Sequence, residues 1–127
     1  MQEKHLFEYA VIRIVPRVER EEFINTGVVL YCAKQKFLKM LFMLDAPRIN
    51  AFAPTVSIEE IHGYLCAFQH ICNGEKVGGE IAKLPIAERF RWLTATRSTV
   101  VQTSKVHPGF CDDAGEMLER LYSQLVL

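Results

Sequence analysis

The sequence predicts an α+β domain in which an antiparallel sheet of about four strands is covered on at least one face by about three helices. Two observations lead there: apolar and β-branched runs crowd the first third of the chain, and helically spaced apolar residues dominate the rest with one further strand-like stretch among them. Strands that come as a block, rather than alternating with helices, favour antiparallel pairing. The chain of 127 residues fits a single domain spanning 1–127. With 50% hydrophobic and 24% charged residues it is globular in composition. A domain of roughly 150 residues buries about 68–70% of its unfolded surface, so folding here requires neither disulfides nor metal.

Residues 7–15 (FEYAVIRIV) are aromatic and β-branched, too short for a good helix, and stopped by Pro16, which makes them a strand. Both of its faces are largely apolar, as in a strand with neighbours above and below. Residues 17–25 form a charged loop or a single helical turn. Residues 26–32 and 37–44 are two more strands, joined as a hairpin through Lys34, Gln35 and Lys36. Residues 45–55, with Pro47 and Pro54, read as a crossing loop.

A helix then starts at the capping box of Ser57 and Glu60, carries Ile58, Ile61, Leu65, Phe68 and Cys72 at helical spacing, and stops at Asn73-Gly74. Gly78-Gly79 marks a flexible connection. Pro85 opens a short helix through Leu93. Residues 99–103 resemble a fourth strand, Pro108-Gly109 a turn, and Asp112 the cap of a terminal helix whose apolar face is Met117, Leu118, Leu121, Tyr122 and Leu125.

The 15 basic and 15 acidic residues cancel, which argues against a strongly basic nucleic-acid binder. Cys32, Cys66, Cys72 and Cys111 are scattered through apolar stretches and read as reduced thiols, and the first residues lack the apolar core of a secretory signal. A cytoplasmic protein with no membrane span is expected. No common hydrolase, nucleotide-binding or deaminase signature occurs, and no cofactor is implied. His62, Cys66 and His70 share one stripe of a helix, yet the two histidines lie roughly 12 Å apart along the axis, so the three cannot hold one ion. No metal site is expected. Asp112 and Asp113 beside Cys111 disfavour its thiolate and hence a nucleophilic role.

The most unusual chemistry lies in residues 89–103, where Arg89, Arg91 and Arg97 accompany Trp92, the only tryptophan, and the hydroxyls of Thr94, Thr96, Ser98 and Thr99. Guanidinium groups grip phosphate or carboxylate in a bidentate fork, and an indole stacks on a base or side chain. Arg13, Arg89, Arg91, Trp92, Arg97 and Ser98 are therefore the candidate ligand-binding residues. The competing reading is a helix-to-strand junction with paired arginines and a core tryptophan. A related expectation gathers Arg13, Arg20, Glu22, Asn25, Arg97 and Ser98 at one sheet end, if the fourth strand pairs beside the first.

Two blocks, YAVIRIVPRVEREEFINTGVVLYC and RFRWLTATRSTVVQTSKVHPGFCDDAGEMLERLYSQLV, carry a resemblance over nearly the whole chain. Through Tyr9, Arg13, Glu22, Phe23, Asn25, Gly27, Phe90, Trp92, Leu93, Arg97, Ser98 and Asp112 the sequence resembles the bacterial family of domains of unknown function numbered 3037. Thr96 stands where that pattern leads one to expect proline. The resemblance implies no activity. It implies a small bacterial protein with a partner or regulatory role beside a HipA-like kinase-domain protein. Three functions are thus in view: a non-catalytic interaction module, a binder of or enzyme on a phosphate-bearing ligand or nucleic acid, and self-association into a homo-oligomer.

Overall fold

In the computed structural model the described residues are 4–97 and 99–127. They form a five-stranded antiparallel sheet and four α-helices, the α+β class that the sequence predicts. Strand β1 (His5–Ile14) is central. On one side it pairs with β2 (Ile24–Cys32), which pairs with β3 (Phe37–Phe42). On the other side its edge is shared by two short strands, β4 (Val101–Thr103) against Ile12–Ile14 and β5 (His107–Cys111) against His5–Tyr9.

Between β4 and β5 the ladder is carried by one side chain. Ser104 Oγ accepts the Val11 N–H at 2.8 Å, while the Ser104 N–H donates to the Val11 carbonyl at 2.8 Å. The hydroxyl replaces the carbonyl that a continuous strand would supply. Ser104→Ala leaves a buried N–H unpaired and is expected to cost about 1–3 kcal/mol, read as a lower urea midpoint. An unchanged midpoint would mean that water takes over the bond.

Both faces of the sheet are covered. Helices α1 (Ala46–Phe52), α2 (Ile58–Cys72) and α3 (Ile86–Leu93) pack on one face, where Ala10, Ile12, Ile14 and Val29 meet Ile49, Ile61, Leu65, Phe90 and Leu93. Helix α4 (Ala114–Leu125) packs on the other, where Phe7, Val28, Leu30 and Cys32 meet Ala114 and Leu118. This two-sided burial explains why residues 7–15 and 26–32 are apolar on both faces.

The sheet clamps α4 at both ends. In the β2–β3 turn Gln35 accepts from the Ala114 N–H at 2.8 Å and donates to the Asp112 carbonyl at 2.9 Å, and Asn25 Nδ2 donates to the Leu125 carbonyl at 3.1 Å. These side chains satisfy backbone groups that a helix leaves unpaired at its termini.

Thr26 is an extra residue in β2, because Ile12 stands opposite Gly27 while Arg13 stands opposite Asn25. Its buried hydroxyl donates to the Met43 carbonyl at 2.5 Å and its carbonyl accepts the Met43 N–H at 2.9 Å, fastening the bulge to the end of β3. Beside it, a Cβ on Gly27 would stand 2.6 Å from the Leu41 carbonyl oxygen and 2.9 Å from Phe42 Cβ, so only glycine fits.

Three local expectations change. Residues 45–55 are not merely a loop: Asp45 accepts from the Arg48 N–H and Pro47 sits in the first turn of α1, where a missing N–H costs nothing. Pro108-Gly109 lies within β5 instead of forming a turn, since an edge strand tolerates a proline facing away from its neighbour. Asp113 caps α4, accepting from the Glu116 N–H at 2.9 Å, while Asp112 pairs with Lys4 at 2.9 Å.

Candidate functional site: a cationic groove at an open sheet edge

The fourth strand does pair beside the first, with Arg13 opposite Gln102. The arginines nevertheless separate. Arg13 alternates with Ile12 and Ile14 and so belongs to the α4 face, whereas Arg89, Arg91, Trp92 and Arg97 belong to α3 and its C-terminal exit on the opposite face. The guanidinium of Arg13 lies 3.9 Å from the centre of the Phe23 ring, its Nε without a partner among the described residues. Across the ladder, the buried Oδ1 of Asn25 also has no partner among the described residues. Arg20 and Glu22 pair with each other at the surface, whereas Arg97 bonds to carbonyls of its own segment.

Arg97 is satisfied by its own chain. It donates through Nη1 to the Leu93 carbonyl at 2.8 Å and the Ala95 carbonyl at 3.2 Å, and through Nη2 to the Trp92 carbonyl at 2.5 Å. Its guanidinium also lies 4.5 Å from the Trp92 ring and 4.9 Å from the Phe68 ring. A cation on the terminal carbonyls of α3 is favourable both as a donor and against the helix dipole. Burial lowers its pKa from the usual arginine range. Trp92 meets Phe68 edge-on at 6.1 Å between ring centres and packs on the core. Arg91 is exposed, with no ion pair among the described residues. Ser98 lies outside the described residues.

Arg89 leads to a different surface. Its Nη1 donates to the Ala82 carbonyl at 3.2 Å and packs on Gly74, whose φ of 69° lies in the left-handed region that favours glycine. From there the half-buried side chain lines a groove of about 630 Å³ together with Lys36, Phe37, Leu38, Lys39, Cys72, Asn73 and Ile86. Three of those eight residues are cations and none is an acid. One wall is β3, the terminal strand of the sheet.

The register of β3 determines which of its backbone groups remain free. Met43 donates to the Thr26 carbonyl, so by alternation Leu41, Lys39 and Phe37 bond to β2 while Phe42, Met40 and Leu38 direct their N–H and C=O groups outward. Among the described residues no hydrogen bond satisfies those outward groups. The strand type was legible in the sequence, but not the groove, because Arg89 stands some fifty residues from Lys36 and Lys39 in the chain.

The other reactive side chains are subdued. His70 pairs with Glu75, and Cys66 Sγ lies 3.6 Å from His62 Nε2. Among the described residues no three histidine, cysteine or acidic side chains converge as metal ligands. Burial pushes the Cys72 thiol up to about 12, against a smaller opposing effect of Arg89. Burial also raises the Cys111 thiol, reinforced by neighbouring Cys32 and by Asp113 and Asp112. Thiolate is the attacking form, so at about pH 8 an alkylating reagent is expected to label half-exposed Cys66 first and to reach buried Cys32, Cys72 and Cys111 only on unfolding. Mass spectrometry checks the order; early labelling of Cys72 would contradict its burial.

The architecture is therefore a small α+β fold that sets a basic groove beside a terminal strand with one free edge. The chain belongs to the family described as "Protein of unknown function (DUF3037)", which matches residues 9–126. No curated protein and no solved structure shows significant similarity to it. Among the described residues no helix is long and apolar enough to cross a membrane.

Proposed function

We propose that this chain is a non-catalytic interaction module of the bacterial cytoplasm, with a HipA-like kinase-domain protein as its partner. The supporting observation is the groove along β3, which sets Lys36, Lys39 and Arg89 beside Phe37, Leu38 and Ile86. Cations on both sides of an edge strand, with apolar side chains between them, suit a protein surface that offers carboxylates and apolar side chains together. Arg97 and Trp92 serve this reading as framework, since their polar or apolar surface is already occupied by α3 and the core. Titration of the two purified proteins at micromolar concentration is the test. A saturable complex that weakens as salt rises is expected, and failure to associate overturns the assignment of this partner.

A second reading, a phosphate-bearing ligand or nucleic acid, is favoured by exposed Arg91, which no acid neutralises among the described residues. It predicts that a labelled single-stranded oligonucleotide binds with a steep salt dependence and that Arg91→Ala weakens the binding. Equal affinity of the Arg91→Ala variant removes Arg91 from that role.

A further inference from the structure

We infer that β3 takes up an extended, carboxylate-bearing segment of a partner protein as an added strand. This rests on the interaction-module reading and specifies its mode. The two edges of the sheet differ in their capacity to accept a strand. On the far side, β4 and β5 are short, the ladder breaks at Ser104, and Pro108 occupies an outward position where it has no N–H to offer. On the near side, β3 runs unbroken through Phe37–Phe42 without proline, its outward groups at Leu38, Met40 and Phe42 unpaired among the described residues. Strand addition draws affinity from such main-chain groups and specificity from alternating side chains.

Charge selects the occupant. Edge lysines ordinarily deter sheet-to-sheet pairing, and here a second copy of the chain would bring two sets of Lys36 and Lys39 into one ladder. Like charges at close cross-strand positions oppose that pairing, whereas carboxylates gain from it. The faces of β3 also specify a pattern. Leu38 and Met40 belong to the core beneath α2 and α3, and Ile86 and Arg89 flank the groove there. Lys39 points to the other face, 5.6 Å from the centre of the Phe37 ring. An incoming strand therefore places apolar side chains toward Ile86 and carboxylates toward Lys39, in alternation.

The probe is a fluorescein-labelled peptide of roughly seven alternating valines and glutamates, long enough to span β3 at about 3.4 Å per residue. The full chain is expected to bind it with an affinity that falls as salt rises. N-methylation of alternate peptide amides, which removes the donors that face β3, is expected to weaken binding at least about tenfold. The Lys36→Glu/Lys39→Glu variant, altered only at exposed positions, is expected to do the same, whereas Lys105→Glu near the other edge leaves affinity unchanged. Binding that survives either N-methylation or the double charge reversal overturns strand addition at this edge, as does failure of the parent peptide at low salt. Sedimentation that finds dimers abolished by the double reversal also overturns it, in favour of self-pairing. A kinase-domain partner that binds the double variant as well as the parent protein overturns this mode alone; loss of that partner with the peptide still bound overturns only the partner assignment.

Discussion

Replacing Arg97 with alanine is expected to cost the domain about 3 kcal/mol. A charged hydrogen bond contributes about 1.5–3 kcal/mol and a cation–π contact about 0.5–2 kcal/mol, and the half-exposed position of the side chain reduces the sum. The carbonyls of Leu93, Ala95 and Trp92, at and just beyond the end of α3, each lose the guanidinium donor, and among the described residues only Trp92 keeps a backbone donor, the Ala95 N–H at 3.4 Å. Arg97→Lys is expected to recover only part, because an ammonium cannot present two nitrogens in a planar fork to three separated acceptors. Urea denaturation with an unchanged slope and a lower midpoint is the readout. An Arg97→Ala protein as stable as the parent would release this guanidinium for an outside anion and revive a ligand site around Trp92.

The second large effect is expected at Gly27. Gly27→Ala puts a methyl 2.6 Å from the Leu41 carbonyl oxygen and 2.9 Å from Phe42 Cβ. Both neighbours belong to the adjacent strand, so relief requires β2 and β3 to part. Overpacking of this kind costs about 1–3 kcal/mol, and the upper end applies because the Thr26 bulge ties the same strands together. The result read is a lower midpoint together with faster amide exchange across β2 and β3. Exchange that quickens evenly over the whole sheet would contradict a local origin.

Local periodicity made most of the fold legible. The run through Ile61, Leu65 and Phe68 gives α2, and the Ser57 hydroxyl accepts from the Glu60 N–H, one half of the capping box, while the Glu60 carboxylate accepts from the Tyr64 hydroxyl. Helix α1 buries only Ile49, and one apolar anchor creates no period to read. Strand β5 was obscured because Pro108-Gly109 has the composition of a turn, and composition does not tell an edge position from a loop. For the candidate site, the alternation of Arg13 with Ile12 and Ile14 was present in the sequence and already separates it from whatever covers those isoleucines. The role of Arg97 was not, because it depends on where the last carbonyls of α3 point. The groove joins Lys36, Lys39 and Arg89 from segments far apart in sequence, a proximity that only tertiary structure creates.

The divided partner of β1 has a consequence for how the molecule is made. Val11 and Ser104 stand 93 positions apart, so one flank of the innermost strand has no companion while the intervening polypeptide is being synthesised. Contacts of such long range slow the search for the native state. The hairpin formed by the early strands would leave the ribosome with an uncovered border, exposed to aggregation until the later residues arrive to close it.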